Sequence, residues 1–216
     1  MSLETNIAAI RKNYAMQSLT EDSVLDYPLS QFRIWLQEAI NAEAIEPTAM
    51  VLATVNEVGR PSARVVLLKE VSEAGFVFFT NYKSKKGLEL EVNPFASLTF
   101  FWPALERQVR IEGRIEKVDA AISDAYFHSR PIGSQIGAWA SPQSQQIDNR
   151  IVLEEADKQY TEKFKDTTEI PRPAHWGGYE LKPDLIEFWQ GRPNRLHDRI
   201  LYELHQQDWL KSRLAP

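Results

Sequence analysis

Residues 49–69 read AMVLATVNEVGRPSARVVLLK, and their pattern sets the fold class. AMVLATV (49–55) and ARVVLLK (63–69) are apolar runs rich in β-branched residues. The EVGRPS between them carries Gly59 and Pro61, which punctuate a turn. Two such runs joined so tightly predict neighbouring strands. Working outward, GFVFFTN (75–81) and SLTFFW (97–102) are further strands, and SKKGLELEVN (84–93) between them is a short helix. ERQVRIEGRIEKV (106–118) alternates, with Val109, Ile111 and Ile115 on one face and Arg110, Glu112 and Arg114 on the other.

Upstream, residues 1–26 form a polar lead-in, and Tyr27-Pro28 opens a helix. Phe32, Trp35, Leu36, Ala39 and Ile40 recur at helical spacing and give it an apolar face. After Asp119 the pattern turns helical: AAISDAYFHSR (120–130), SQIGAWAS (134–141) and RIVLEEADKQYTEKF (150–164). Pro171-Arg172-Pro173 is a stiff connector, and GGYELKP (177–183), LIEFWQ (185–190) and DRILYEL (198–204) return to strands. The helices come as a block within the strands and do not alternate with them. The expected fold is therefore mainly β, an antiparallel barrel with peripheral helices, not a doubly wound parallel sheet. Residues 27–216 are expected to form one domain.

Composition excludes several function classes. The chain has 216 residues, 43% hydrophobic and 25% charged, which is ordinary globular usage. It has no cysteine, so it holds neither a disulfide framework nor a thiolate metal site. Its four histidines, His128, His175, His197 and His205, lack HxH or HExxH spacing, so no metal site is expected. MSLETNIAAIRKNY (1–14) lacks the apolar run of a secretory signal, and a soluble cytoplasmic protein is expected. A net charge of −5 argues against a nucleic-acid partner, which would call for a basic face.

Against that acidity, cations recur beside apolar strands. Arg64 and Lys69 bracket one strand, and Lys85 and Lys86 stand at a helix start, where the helix dipole opposes them unless an anion binds. Gln108 and Arg110 share a strand face. Tyr126, Arg130 and Ser134 recur at four-residue spacing, so a helix running through Pro131 would align phenol, guanidinium and hydroxyl. Gln143 and Ser144 follow in a polar loop. In EFWQGRPNRLHDR (187–199), strand alternation would put Arg195, His197 and Arg199 on one face. Each cluster has an ordinary reading as solvated charge. Their shared reading is that two phosphate-bearing ligands bind. No glycine-rich phosphate loop is present, so side chains must hold them.

The segments RKNY (11–14), RVVLLK (64–69), FFTNYKSKKG (78–87), RQVRIEG (107–113), YFHSRPIGSQIGAWAS (126–141), PRPAHWGGYELKP (171–183), EFWQGRPNRLHDR and the terminal RLAP span almost the whole chain in order. Together they resemble the pyridoxamine 5′-phosphate oxidase family. The resemblance implies a Greek-key-like split β-barrel that binds FMN at a homodimer interface. It implies oxidation of pyridoxamine and pyridoxine 5′-phosphates by O2 to pyridoxal 5′-phosphate, with H2O2 and, from the amine, NH3. It assigns FMN to Arg64, Val65, Val66, Leu67, Leu68, Lys69, Phe79, Thr80, Lys85, Lys86, Gln108, Gln143, Ser144, Trp189 and Arg199. The substrate phosphate falls to Lys69, Tyr126, Arg130 and Ser134. Arg195 and His197 would face the pyridine ring as catalytic residues, and Arg11 to Tyr14 would close over the site. Lys85 stands where arginine is common in the family, and Phe79 where tyrosine is. The rival readings are a related flavin or deazaflavin reductase on the same barrel and a non-catalytic flavin- or vitamer-binding protein.

Overall fold

A computed structural model describes residues 13–216. In chain order the elements are α1 (Pro28–Asn41), β1 (Ala49–Val55), β2 (Pro61–Leu67), β3 (Glu70–Val71), β4 (Phe76–Asn81), α2 (Lys85–Val92), β5 (Phe95–Trp102), β6 (Arg107–Lys117), α3 (Ala120–Ser129), α4 (Ile132–Ala140), α5 (Ile151–Phe164), β7 (Trp176–Gln190), β8 (Asp198–His205) and β9 (Asp208–Arg213). Contacts divide the chain into two compact units, each assembled from separate stretches of sequence. Of the described residues, the first holds 13–47, 100–110 and 185–216; the second holds 48–99 and 111–184.

In the second unit the hairpin expected from residues 49–69 forms, with Val51 opposite Val65 and Leu52 opposite Arg64. β1 also pairs with β5, and β4 pairs with both β3 and β7, all antiparallel. The sheet path is β2-β1-β5-β6-β7-β4-β3. The buried faces are the alternating residues: Met50, Leu52, Leu98, Phe76, Phe78, Ile111, Ile115 and Leu181. At Gly113 an added Cβ would lie 2.1 Å from the Lys182 carbonyl oxygen, so glycine there lets β6 and β7 approach. A second cluster packs Phe127, Ile136, Phe164, Ile170 and Trp176 together.

In the first unit, α1 begins at Pro28, whose fixed φ and missing N–H suit a first helical position. Phe32, Trp35 and Ala39 are buried as its periodicity predicts, while Ile40 turns out to be exposed. Trp35 meets Phe188 edge-on at 5.1 Å, and Phe32 meets Phe100 at 4.9 Å. β8 pairs with β7 and with β9, the latter strand unexpected from sequence.

Three local expectations change. GGYELKP and LIEFWQ are one strand, β7, of 15 residues. The helix imagined through Pro131 is broken: α3 ends at Ser129 and Arg130 is extended (ψ 150°) before α4 starts. Proline removes an N–H and biases its predecessor away from helix, which accounts for the break. Arg195 and His197 precede β8 and are not in a strand, so alternation does not place them together. Among the described residues, no helix is long and apolar enough to cross a membrane.

Candidate active site

The expected site residues fall into both units. Arg11 lies outside the described residues.

In the second unit, Arg64 projects from β2 into a polar network absent from the sequence reading. Its guanidinium donates to the Leu52 carbonyl at 3.1 Å and to the hydroxyl oxygens of Thr54 and Ser62. It also lies 3.4 Å from Glu89 Oε2. Thr54 and Ser62 in turn donate to Glu89 at 2.5 and 2.7 Å. Burial acts to raise the Glu89 pKa, but these hydroxyls and the Lys85 charge outweigh it and leave the carboxyl below its ordinary value. Lys85 is exposed and 3.5 Å from Glu89, one helical turn away. Glu89 thus fixes Arg64. Its four-residue spacing from Lys85 was the available signal for it.

Val66 and Leu68 turn inward with Arg64, whereas Val65 and Leu67 are exposed, as alternation predicts. Lys69 is exposed, and its backbone N–H bonds Val77.

Lys86 is different. It is buried, and its ammonium donates to Thr80 Oγ1 (3.0 Å), Ser84 Oγ (3.3 Å) and Gln143 Oε1 (2.9 Å), all neutral oxygens. Burial, helped by the charge of Arg64, pushes its pKa down to about 8. A buried cation without a counter-charge is costly, and an anion seated beside it would relieve that cost. Ser84 N-caps α2 by accepting from the Gly87 N–H, which sets the lysine pair at the start of the helix.

Gln143 links this cation to a cavity of about 220 Å³ lined by Asn81, Arg130, Ser134, Gly137, Ala138, Ser141, Gln143 and Trp176. Arg130 Nη1 is buried there with no hydrogen-bond partner. Tyr126 stacks on Phe79 at 3.9 Å with an 18° interplanar angle, so phenylalanine serves there as a packing surface. Ser144 is exposed and adopts a left-handed φ of 70°. The residues therefore fit two anions: one at Lys86, one at Arg130.

In the first unit, Trp189, His197 and Tyr14 form an aromatic group. Trp189 and His197 are 4.7 Å apart, and Tyr14 meets them at 5.7 and 5.9 Å. The Arg192 N–H donates to His197 Nδ1 at 3.1 Å, so the neutral ring carries its proton on Nε2. Asn194 and Arg195 are both left-handed (φ 58° and 63°). Two consecutive non-glycine residues in this region store strain of roughly 1–3 kcal/mol each, a feature that concentrates at functional turns. Arg199 is clamped bidentately by the buried Glu187 at 2.8 and 2.9 Å, and this bond raises its pKa. Arg110 reaches the same carboxylate at 3.2 Å. Gln108 is half-buried on β6. Glu187 was missed in the sequence, although a lone carboxylate inside the apolar run LIEFWQ demands a partner.

The segment that carries Tyr14 is tied down by Glu106, whose carboxylate accepts the N–H groups of Ala15 and Met16 at 2.9 and 3.1 Å. Glu106→Ala should raise amide exchange at these two residues about tenfold while leaving β6 protected, since roughly 1.5 kcal/mol per charged hydrogen bond is lost locally. Exchange mass spectrometry reads this directly. Unchanged exchange would mean the segment is held elsewhere.

A model described as pyridoxamine 5′-phosphate oxidase matches residues 36–163. One described as the pyridoxine 5′-phosphate oxidase C-terminal dimerisation region matches residues 176–216. Pyridoxine/pyridoxamine 5′-phosphate oxidase of Cyanothece sp. is 56% identical, over 98% of this chain and 99% of its own. The protein of that name from Neisseria gonorrhoeae is 55% identical, over 96% and 98%. Among solved structures, PhzG from Burkholderia lata, in complex with tetrahydrophenazine-1-carboxylic acid, superposes with a TM-score of 0.87 at 29% identity, over 94% of this chain and 100% of that one. A pyridoxamine 5′-phosphate oxidase-related, FMN binding protein from Nostoc punctiforme shares the fold, with a TM-score of 0.68 at 18% identity over 93% of this chain and 100% of that one. The split-barrel fold class expected from the sequence is thus the one found, and the chain belongs to the pyridoxamine 5′-phosphate oxidase family.

Proposed function

We propose that this cytoplasmic enzyme oxidises pyridoxamine 5′-phosphate and pyridoxine 5′-phosphate with O2 to pyridoxal 5′-phosphate, using FMN held at a homodimer interface. The products besides the aldehyde are H2O2 and, from the amine with one water consumed, NH3. The supporting observation is the pair of anion seats joined by Gln143, at Lys86 and at Arg130. Cofactor and substrate each bring one phosphate monoester, and each phosphate needs a cation.

In this reading Lys86, Arg64, Thr80, Lys85, Gln143 and Ser144 hold the FMN phosphate and ribityl chain, and Val65 to Lys69 with Phe79 line its bed. Gln108, Trp189 and Arg199 complete the cofactor contacts. When bound, FMN supplies the hydride-accepting and oxygen-reducing chemistry. The chain's own residues bind and orient. Lys69, Tyr126, Arg130 and Ser134 fix the substrate phosphate, and so the reacting carbon, which is an orientation effect. Arg195 steers the pyridine ring and stabilises developing charge. His197 presents its Nε2–H to the substrate's polar groups. Tyr14 covers the site.

The test is to purify the protein, record its visible spectrum, and add pyridoxamine 5′-phosphate in air. A flavin spectrum with aldehyde and peroxide forming supports the proposal. A flavin spectrum without turnover favours a reductase or a binding protein. A protein that stays colourless after incubation with FMN overturns the assignment.

A further inference from the structure

We propose that Trp176 is a positioning residue: its indole face aims the Arg130 guanidinium at the substrate phosphate and so sets the preference for phosphorylated over unphosphorylated vitamers. The inference rests on the substrate-phosphate role proposed for Arg130.

The arginines of this protein are oriented in two ways. Arg64 is held by a buried carboxylate, Glu89, and its Nη1 and Nη2 also donate to protein oxygens on Leu52, Thr54 and Ser62. Arg130 has no such partner among the described residues. Its guanidinium carbon lies 4.5 Å from the Trp176 ring centroid and 5.7 Å from that of Phe127. A guanidinium directs its N–H groups within its own plane, whereas an aromatic ring attracts it through its face. The ring therefore fixes the cation without using a donor, and adds no negative charge to compete with an incoming phosphate. The result is visible in Nη1, which is buried and unpartnered beside the cavity that Trp176 helps to line.

Trp176 is itself rigid. It is 7% exposed, stands at the first position of β7 and pairs in register with Asn81. Its carbonyl accepts from Arg172, which is in turn paired with Asp124. Its ring runs nearly parallel to Phe79 (13°) and Tyr126 (5°), at 5.7 and 6.2 Å. One indole thus touches two groups assigned to the substrate phosphate, Tyr126 and Arg130.

The test compares binding of pyridoxal 5′-phosphate and of pyridoxal by the purified wild type, Trp176→Leu and Trp176→Phe, with FMN content and melting temperature measured in parallel. Trp176→Leu should weaken pyridoxal 5′-phosphate binding by about tenfold, within the range of a desolvated cation–π contact, and leave pyridoxal unchanged. Trp176→Phe keeps a smaller face, should fold if leucine does not, and should lose only about threefold. Equal losses for both ligands would make Trp176 a wall of the pocket and overturn the proposal, as would unchanged phosphate selectivity in the phenylalanine variant. A wild type that binds both ligands equally would instead overturn the role of Arg130 itself, and the proposal with it.

Discussion

Arg130→Leu should raise the KM for pyridoxine 5′-phosphate by roughly 10²–10³-fold, because removing one partner of a desolvated charge pair costs about 2–5 kcal/mol and each 1.4 kcal/mol is tenfold. The structural basis is specific. Burial holds the Arg130 pKa below its ordinary value, and the group has an unused buried Nη1. An anion that arrives there meets a guanidinium whose Nη1 is already out of water and without a partner. The turnover number at saturation should fall much less, since the reacting carbon is also positioned by contacts to the ring. FMN content should stay near that of the wild type, because Lys86 and Arg64 are untouched. Steady-state kinetics with FMN-saturated protein measure all three. A variant that loses FMN in step with substrate affinity would show that the cavity at Arg130 serves the cofactor, and the assignment of the two seats would have to be exchanged.

Lys86→Met should weaken FMN binding about 10²-fold, and should abolish a pH dependence that the wild type shows. Without ligand, the ammonium has neutral partners and a pKa pushed down to about 8 by burial. A phosphate dianion in contact favours the charged form, so the pKa in the complex is higher than in the free protein. Between those two values the complex carries a proton that the free protein lacks. FMN affinity should therefore be level below pH 8 and fall as pH rises above it, by up to about tenfold per unit, until the pKa of the complex is reached. Riboflavin, without the phosphate, should show no such slope. Quenching of flavin fluorescence between pH 6.5 and 9.5 would measure it. Equal slopes for FMN and riboflavin, or no slope for either, would remove Lys86 from the phosphate site.

Much of the scaffold was readable from local pattern. Val109, Ile111 and Ile115 alternate in the sequence and are buried in β6. Phe32, Trp35 and Ala39 repeat at helical spacing and form the buried face of α1. The turn read from Gly59 and Pro61 does separate β1 from β2, with Gly59 at a positive φ of 80°. These features succeed because side-chain direction follows backbone period, and the period is written in consecutive residues. The cations of the candidate site were legible for a related reason: charge beside apolar strands in an acidic chain stands out in composition.

Pattern failed wherever partners come from distant segments. Arg64 and Glu89 are 25 residues apart, and the Glu106 carboxylate captures a backbone N–H 91 residues away. Alternation put Arg195, His197 and Arg199 on one strand face, yet the Gly191–Leu196 turn, with left-handed residues at Asn194 and Arg195, breaks that period. Local pattern gave Trp176 no role, and it became the surface on which Arg130 rests only once β7 paired with β4. Residue type and periodicity thus determine which elements form, which faces are buried and which groups can carry charge. Which carboxylate restrains which arginine, and which arginine is left with a free donor, depends on strand pairing and loop closure over long separations. Hydrogen bonds and ion contacts act over a few ångströms, and folding alone brings those groups within reach.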